Sequence, residues 1–567
     1  MSKILFVCLK DRTVNQDTIQ KVKHICESLN PDNIQARPTK ISYNKRTITG
    51  ISNPVHSIEV KDNSFLFGQA FGERGKWYEV NGLVPDGNFS IFRSNQQKLE
   101  IVTDILGTRS VWYYKDKDVF LASTSQRAII QYLGDFTFNK KVIPWVLSTG
   151  MLGPGLSWDS RISLLNGSSS LTVDMKSWDL NISSSQVEFI ENKQSDKEHV
   201  KELKEVIDST FSKIDIDYSE WNLTLSGGYD SRGNICLLPK KDQNGEHLKT
   251  VTWGLEASRK QNGTDAQVAE KIANIYDLPH RYFHTDPPSE PLEIILDRFC
   301  LNGEGRIDHI GGYTDGFNLW KKLFEKNITG VIRGDEVFGS YNFISDLHLK
   351  KFVGLSLCSD YSNLKDDPFI KSLSQEFPQE LKQQKSESLE NWRDRLYQSH
   401  LVPTFLSALS DLKQPYVEQI NPLLARGIVR KIREMPAHLR TDKKAFKTIV
   451  DSVNPNVKFA SRSSTMATKH FLKQEEIVEI IRGELSSHSS TSIFPRNFIN
   501  DVLSKIRVQH NSKDWYGSGI TRIKALIPKK FKRGVKGKEK FHVMDYNLLA
   551  FRMFIISRMN RILEEGK

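Results

Sequence analysis

The stretch Leu223-Thr-Leu-Ser-Gly-Gly-Tyr-Asp-Ser-Arg232 decides the fold of this 567-residue chain. A short apolar strand over residues 221–225 ends at the Ser-Gly-Gly triplet, and a segment compatible with a helix follows over 230–238. The two glycines let the backbone pass close to a ligand, in conformations that are barred to other residues. Serine hydroxyls and the free N–H groups at the start of the helix would face a ligand in this turn. The stretch therefore predicts a strand–turn–helix unit that binds a pyrophosphate group.

Asp230 indicates which kind of phosphate-containing ligand the turn would bind. A carboxylate would repel a bare phosphate, but it suits a nucleotide that carries magnesium, because Mg²⁺ is commonly bound by carboxylates together with phosphates. An ordinary glycine-containing turn is the alternative for the Ser-Gly-Gly triplet alone, and the spacing of a Walker loop is absent. The residues assigned to ATP binding in this turn are Leu225, Ser226, Gly227, Gly228, Asp230 and Ser231.

The length and composition of the chain limit the classes of protein to which it can belong. A chain of 567 residues with 38% hydrophobic and 10% aromatic residues predicts a globular protein of two or more domains. Five scattered cysteines without a CxxC pair argue against a disulfide framework or a zinc site and fit a reducing compartment. The N-terminal apolar run is too short for a signal peptide, and no stretch approaches the roughly 20 apolar residues of a membrane span. We therefore expect a cytoplasmic protein.

The net charge of +12 is concentrated late in the chain. Much of it lies in residues 524–540, KALIPKKFKRGVKGKEK. This segment is either a patch for nucleic acid, an anionic membrane or an acidic substrate, or a solvated lysine-rich surface loop. No nucleic-acid-binding motif accompanies it, so a nucleic-acid partner is not expected. The sequence leaves open whether the protein is a homodimer.

The pattern of apolar and polar residues changes once along the chain, and this change predicts two domains. Residues 1–190 contain short alternating segments broken by Gly, Asn and Asp, at 65–68, 89–92, 111–114 and 119–122, which predict an antiparallel β-rich domain. Residues 191–197 are polar and resemble a linker. Over 198–567, predicted helices (199–212 and 264–276) alternate with predicted buried strands (221–225, 250–255 and 328–332), which favours a parallel α/β sheet. The chain beyond residue 390 is predicted to be mostly helical, and 365–388 and 486–491 to be polar connections.

Other candidate site residues follow the predicted strands, because ligands of parallel α/β sheets bind beyond the carboxyl ends of the strands. Thr252, Trp253 and Gly254 would offer groups to a nucleobase. In the stretch 330–341, GVIRGDEVFGSY, Gly334 would approach the nucleotide, and Asp335 would share one or two magnesium ions with Asp230. Arg333 would offset phosphate charge. A capped turn is the alternative for Gly-Asp-Glu alone.

A cluster of lysines at a predicted helix start completes the candidate site. In Arg440-Thr-Asp-Lys-Lys-Ala-Phe-Lys447, a cation held over the reaction centre would stabilise negative charge that builds during the reaction. Without the other motifs, these lysines would be read as solvated.

Taken together, these motifs resemble the asparagine synthetase family over nearly the whole chain. SGGYDS is similar to the phosphate loop of the ATP pyrophosphatase superfamily, and GDEVFGSY to the family's magnesium motif. Pro85-Asp-Gly-Asn-Phe89 is similar to its DGxFA stretch, 418–424 (EQINPLL) to its RxPFLD region, and Lys443-x-Ala-Phe-Lys447 to its KxLLR segment. In the first half, 104–109 with 113–114, 121–123 and 164–167 resemble further family landmarks.

The resemblance implies both fold and chemistry. It implies an Ntn-type, glutamine-amidotransferase-like α+β sandwich over 1–190, followed by a HUP-like α/β ATP pyrophosphatase domain with a helical C-terminal part over 198–567. ATP and Mg²⁺ would convert a small-molecule or peptide carboxylate to an acyl-AMP with release of pyrophosphate, and a nitrogen nucleophile would then form an amide. Lys443 would stabilise the intermediate, with Lys444 as its substitute and Arg333 beside the phosphates.

Two departures from the family pattern qualify this prediction. The family's glutaminase uses a cysteine directly after the initiator methionine, because its α-amino group serves as base for the thiol. Here that position is Ser2, and Cys8 lies in an apolar strand, where an inert thiol is expected. Ile332 stands where the family has a glutamate near the incoming nucleophile. The predicted function is an AMP-forming amide ligase without glutaminase activity, using ammonia or an amine. The alternatives are an ammonia-dependent asparagine synthetase, a cyclase of the lasso-peptide or β-lactam type, and a nucleotide-binding scaffold.

Overall fold

The computed structural model describes residues 2–55, 58–343, 345–509 and 541–566. The N-terminal part is built mainly of β-strands. Its elements are β1 (Ile4–Leu9), α1 (Gln16–Ser28), β2 (Lys40–Tyr43), β3 (Thr47–Ile51), β4 (Glu59–Lys61), β5 (Ser64–Phe71), β6 (Asp86–Ser94), β7 (Lys98–Thr103), β8 (Val111–Lys115), β9 (Val119–Ser123), α2 (Gln126–Leu133), α3 (Val142–Thr149), β10 (Ser163–Leu165), β11 (Ser169–Asp174) and β12 (Leu180–Ser184).

These strands form two antiparallel sheets packed face to face. The sheet orders are β10-β8-β9-β1-β3-β2 and β12-β11-β7-β6-β5-β4. Because side chains alternate along a strand, β1 contributes to two cores. Ile4, Phe6 and Cys8 pack between the sheets, whereas Leu5 and Val7 pack in the core with residues of α1 and α2. The predicted antiparallel β-rich domain is confirmed as a sandwich with helices on one outer face.

The second part of the chain alternates helices and strands and then becomes helical. Its elements are α4 (Asp196–Phe211), β13 (Trp221–Thr224), α5 (Tyr229–Leu237), β14 (Lys249–Gly254), α6 (Asp265–Ile275), β15 (His280–His284), α7 (Leu292–Gly303), α8 (Asn318–Glu325), β16 (Gly330–Ile332), α9 (Asp346–Phe352), α10 (Pro368–Ser372), α11 (Leu389–Leu396), a π-helix (Tyr397–Leu406), α12 (Ser407–Asp411), β17 (Glu418–Ile420), α13 (Arg426–Arg433), α14 (Ala437–Arg440), α15 (Lys444–Val453), α16 (Thr468–Phe471), α17 (Glu475–Leu485), α18 (His488–Ile493), α19 (Arg496–Lys505) and α20 (Tyr546–Glu565).

The five strands β13 to β17 form one parallel sheet in the order β15-β14-β13-β16-β17. The pairing places Leu223 opposite Thr250 on one side and opposite Ile332 on the other. Neighbouring strands therefore end at the same edge of the sheet. The predicted parallel α/β sheet is confirmed, and the glycine turn follows its central strand.

The two parts of the chain share buried contacts. The backbone N–H of Asn421 donates to Asn88 Oδ1 at 2.7 Å, and that of Arg426 donates to Asp86 Oδ1 at 2.7 Å. A buried ion pair joins Arg109 to Glu418. The stretches PDGNF and EQINPLL, singled out separately in the sequence, thus meet at one interface.

Two predicted polar connections contain helices. Within 365–388 the structure has α10, and the predicted connection 486–491 overlaps α18. Polar residues cap both helices: Asp367 accepts from the N–H groups at the start of α10, and the Ser487 side chain accepts from Ser490 N. Such capping residues resemble loop residues in a sequence.

Two other predictions concern the chain as a whole. The basic segment 524–540 lies outside the described residues. In the parts of the chain that the structure describes, every helix is too short or too polar to cross a bilayer.

The buried interface pair predicts a stability effect. Glu418→Gln would leave the Arg109 guanidinium, 3% exposed, without its paired carboxylate. Breaking one partner of a buried pair costs about 3–5 kcal/mol, so the first thermal transition in calorimetry should fall by several degrees. The matched control is Glu479→Gln, whose partner Arg482 is 41% exposed. Exposed pairs contribute under about 1 kcal/mol, and an equally small shift for both variants would contradict this account of the interface.

Candidate functional site

The strand order of the parallel sheet creates a crevice at its carboxyl edge. Counted along the chain, the strands lie in the order 3-2-1-4-5, so connections diverge between β13 and β16. In open α/β sheets such a reversal leaves room for a ligand beyond the strand ends. The glycine turn follows β13, and the Arg-Gly-Asp-Glu stretch follows β16. The structure therefore brings together the two motifs predicted to bind a nucleotide.

The glycine turn is held by hydrogen bonds between its own residues and by one to the start of α6. Ser226 N donates to Ser231 Oγ at 3.0 Å, and the two serine hydroxyls lie 2.9 Å apart. Gly227 N donates to Asp265 Oδ1 at 3.0 Å. Helix α5 begins after Gly228, and no side chain caps it. The first N–H groups of the helix thus point toward the crevice without a side-chain cap, which suits an anion.

Gly334 allows the two motifs to touch. A Cβ at this position would lie 2.9 Å from Ser231 N and 3.0 Å from the carbonyl carbon of Asp230. Both are backbone atoms, which cannot move aside as the end of a flexible side chain can. Glycine at 334 is therefore a packing requirement of the site.

Lys443 forms the electrostatic centre of the site. Its Nζ lies 2.8 Å from both carboxylate oxygens of Asp230 and 2.9 Å from Glu336 Oε1. Burial alone would lower the pKa of Lys443, but the carboxylates of Glu336 and Asp230 outweigh burial and hold this pKa above its usual value. The lysine therefore remains charged at neutral pH.

The backbone at Lys443 is strained. Asp442 and Lys443 both have φ of 56°, in the left-handed region. For residues other than glycine this conformation costs roughly 1–3 kcal/mol each and persists only where surrounding contacts enforce it. Asp442 N donates to Ser340 O at 2.8 Å, and the Lys443 ammonium is held by two carboxylates. The strain places the Lys443 side chain in the crevice and starts α15 directly after it.

The two predicted magnesium ligands belong to different segments: Asp230 follows β13 and Asp335 follows β16. Asp335 lies 3.6 Å from Arg333 Nη2, and its backbone N–H donates to Asn421 Oδ1 at 3.3 Å. Among the described residues no group of three or more His, Cys, Asp or Glu side chains is arranged to hold a metal ion. Asp230 and Asp335 thus form no complete metal site by themselves. Mg²⁺ held partly by substrate phosphates needs only one or two carboxylates.

A first cavity of about 540 Å³ extends along the carboxyl ends of β14, β13 and β16. Ser226, Ser231, Arg333 and Asp335 line its polar part. Its aromatic part contains Trp253 and Trp320, whose rings meet edge to face at 68° with centroids 5.5 Å apart. The other predicted residues lining it are Leu225, Asp230, Thr252 and Gly334.

A second cavity of about 470 Å³ opens on the other side of Lys443. Asp230 lines both cavities, whereas Glu336 and Lys443 line the second. The site is thus two chambers that share Asp230, a carboxylate paired with the partly buried ammonium of Lys443.

Four predicted residues, Lys444 and the glycines Gly227, Gly228 and Gly254, lie outside the lining of both cavities. Lys444 is 58% exposed and its Nζ is 3.9 Å from Asp196, because the helix that starts at this residue turns its side chain away from the crevice. The predicted catalytic role of Lys444 therefore has no geometric support. Gly254 does not line either cavity; a Cβ there would lie 2.4 Å from Ser464 O, so it accommodates a covering loop.

The sequence alone did not single out several side chains of the site. Glu336 was seen only as the neighbour of Asp335, and Asp265 was not singled out within the predicted helix 264–276. Lys413 lines the first cavity, is 3% exposed, and lies 5.8 Å from the Trp320 ring. Burial lowers the pKa of Lys413 well below its usual value. No signal in the surrounding DLKQPY distinguishes this lysine from a surface one.

Comparisons with known proteins give only distant likenesses. No protein-family model matches the chain, and no curated protein matches it. Among solved structures, the U34-tRNA thiolase NcsA from Methanococcus maripaludis, described with its [4Fe-4S] cluster, is 14% identical, with 57% of this chain and 88% of that chain covered and a TM-score of 0.20.

Two further structures cover half of the chain. The glutamine phosphoribosylpyrophosphate amidotransferase from B. subtilis, complexed with ADP and GMP, is 7% identical and covers 50% of this chain and 82% of its own, with a TM-score of 0.20. An allosteric regulatory enzyme of purine biosynthesis is also 7% identical, over 50% and 81%, with a TM-score of 0.21. The description of the site therefore rests on the chain's own geometry.

The close approach at Gly334 predicts a matched pair of glycine variants. In Gly334→Ala the new methyl group would push the turn and the Arg-Gly-Asp loop apart, at a cost of about 1–3 kcal/mol. In Gly228→Ala the nearest atom is Ser226 Oγ at 3.5 Å, an ordinary contact. Thermal unfolding should show a lower midpoint for Gly334→Ala and little change for Gly228→Ala. Equal midpoints would mean that the two loops are not in contact.

Proposed function

We propose that the protein is an ATP-dependent amide-forming ligase that activates a carboxylate as acyl-AMP, releases pyrophosphate, and transfers the acyl group to a nitrogen nucleophile. The observation that carries this proposal is the Lys443 ammonium, fixed between Asp230 and Glu336 where the two cavities meet. Two adjoining chambers with a cation between them suit a reaction that joins two substrates through a phosphate-bearing intermediate, because the cation can stabilise charge that develops during the reaction.

The first cavity fits ATP. The uncapped start of α5, with Ser226 and Ser231 beside it, offers donors for phosphate oxygens. Trp253 and Thr252 line the same cavity at the end of β14, where a nucleobase would lie. Asp230 and Asp335 carry the oxygen ligands that Mg²⁺ prefers, and they would hold it together with phosphates. A bound Mg²⁺ would supply charge neutralisation to the phosphates.

The proposed reaction has two steps. A carboxylate oxygen of the acid attacks the α-phosphorus of ATP, and the bond to pyrophosphate breaks. The nitrogen nucleophile then attacks the acyl carbon, AMP leaves with the bonding electrons, and the nitrogen loses a proton. Lys443 stabilises negative charge in both steps, while Glu336 positions its ammonium. Arg333 adds positive charge to the first cavity.

The N-terminal sandwich is proposed to be structural and not a glutaminase. Ser2 is fully buried, and its hydroxyl donates to Asn53 O at 3.0 Å. Burial raises the pKa of the Cys8 thiol to about 12, so no nucleophilic thiolate forms there near neutral pH. Lys3 and Arg306 both pair with Asp411 in the interface between the sandwich and the sheet domain. These observations support a nitrogen source other than glutamine.

The proposal is tested by exchange of labelled pyrophosphate into ATP with a panel of carboxylic acids. Exchange that depends on an acid is expected, because the first step needs no nitrogen nucleophile. ATP binding without exchange for any acid would favour a nucleotide-binding scaffold. Asparagine formation from aspartate and ammonia would identify an asparagine synthetase, ring closure within one substrate a cyclase, and turnover with glutamine would contradict the role given to the sandwich.

Asp230→Asn is expected to abolish this exchange while the fold stays intact. The change removes the charge that pairs with Lys443 and the oxygen ligand proposed for Mg²⁺. Circular dichroism and thermal unfolding provide the control for folding. Full activity in this variant would remove Asp230 from the proposed metal site.

Two adjacent lysines allow a matched comparison. Lys443→Ala should lower turnover by at least about 100-fold, as does the loss of a group that stabilises a charged transition state, with a smaller effect on ATP affinity. Lys444→Ala should change turnover little, because that side chain points to Asp196. Steady-state kinetics of pyrophosphate release measure both variants. A larger loss in Lys444→Ala would shift the assignment by one residue.

A further inference from the structure

The second cavity adjoins the reaction centre and is not needed by the nucleotide. It shares only Asp230 with the lining of the first cavity, and Lys443 and Glu336 lie on its wall. Its volume is about 470 Å³. A chamber of this size, next to the point where an acyl group is transferred, is suited to a second organic substrate.

The wall of the second cavity is largely apolar. Its hydrophobic side chains are Met151, Val337, Phe352, Leu401, Phe405 and Leu406. The Phe352 and Tyr397 rings are near parallel, with centroids 6.2 Å apart. The π-helix Tyr397–Leu406 supplies much of this wall, and such helices are frequent at functional sites. An apolar chamber binds an apolar body, because its affinity comes from surface removed from water.

We propose that this cavity holds the nitrogen nucleophile, and that the nucleophile is an organic amine on an apolar body. This inference rests on the proposed function, since it names the acceptor of the same reaction. Ammonia is too small to use the apolar walls. Ser2 stands where a glutaminase of the family would have its nucleophile, and ion pairs of Asp411 lie in the interface between the two parts of the chain, so a glutaminase is not proposed to feed this cavity with ammonia.

The charged side chains around the second cavity favour the amine over the carboxylic acid as its occupant. A carboxylate that entered the second cavity would lie near the carboxylates of Asp230 and Glu336. The nearby cation, Lys443, already forms ion pairs with both of these side chains. Asp394, also on the wall, is paired with Arg393 and Arg440, and Lys351 adds a cation beside Phe352. In the first cavity the Arg333 guanidinium, 3.6 Å from Asp335, supplies the positive charge, and the Lys413 side chain lines the same wall. The acid is therefore assigned to the first cavity.

The experiment measures binding to full-length protein loaded with Mg²⁺ and a non-hydrolysable ATP analogue. Isothermal titration compares phenethylamine and isoamylamine with ammonium chloride and with 3-phenylpropanoate. Both organic amines are expected to bind at least about tenfold more tightly than ammonium, since one methylene in an apolar pocket is worth roughly 10-fold or more. Equal binding of ammonium and the amines, or binding of 3-phenylpropanoate in competition with phenethylamine, would overturn the proposal.

Two variants locate the amine. Phe405→Ala enlarges the second cavity and should weaken phenethylamine binding about tenfold or more, and Leu401→Trp should fill the cavity and abolish it. Ile294→Ala, at a position 41% exposed and outside the lining of both cavities, is the control and should leave amine binding unchanged. If Leu401→Trp fails to fold, Phe405→Ala alone still tests whether the amine binds in the second cavity. Unchanged amine binding in Phe405→Ala would contradict the assignment.

A second readout separates this inference from the proposed function. Pyrophosphate exchange without amine reports only activation of the acid. The KM of the acid in this exchange should be the same in Phe405→Ala and in the wild type, and a large rise would assign the second cavity to the acid and overturn the proposal. Failure of the wild type to bind ATP or to exchange pyrophosphate would instead refute the proposed function.

Discussion

The ion-paired ammonium of Lys443 connects three segments that are far apart in the chain. It joins the turn after β13, the loop after β16 and the start of α15 through contacts of 2.8–2.9 Å with Asp230 and Glu336. These partners keep the partly buried lysine charged, because partial burial alone would lower its pKa. Left-handed backbone at two successive residues accompanies this placement. The geometry of the two cavities depends on this one interaction.

The N-terminal sandwich supports the site at a distance. Asn88 and Asp86 accept hydrogen bonds from backbone N–H groups at the end of β17 and the start of α13. Asn421, held in this way, accepts from Asp335 N. A chain of hydrogen bonds therefore runs from the sandwich to the proposed magnesium ligand. This arrangement gives the sandwich a structural reason to be present without any chemistry of its own.

The parts of the fold that the sequence predicted are those specified by local pattern. The glycine turn, the alternating strands of the sandwich and the helices between parallel strands all have local periods or turn residues. Lys443 and Lys444 are indistinguishable in such a pattern, since only the left-handed backbone at Lys443 determines which one enters the crevice. Lys413, Asp265 and the second cavity depend on packing between distant segments. The caps of α10 and α18 were read as loops for a different reason, because polar capping residues resemble loop residues in a sequence.

The most direct test of the central claim is calorimetric titration of the wild-type protein with ATP, in the presence and absence of Mg²⁺. The account predicts saturable binding of one nucleotide per chain that is markedly tighter with Mg²⁺, because Asp230 and Asp335 repel phosphates until the metal joins them. Absence of ATP binding when Mg²⁺ is present would contradict the account, and so would binding that is equally tight without the metal.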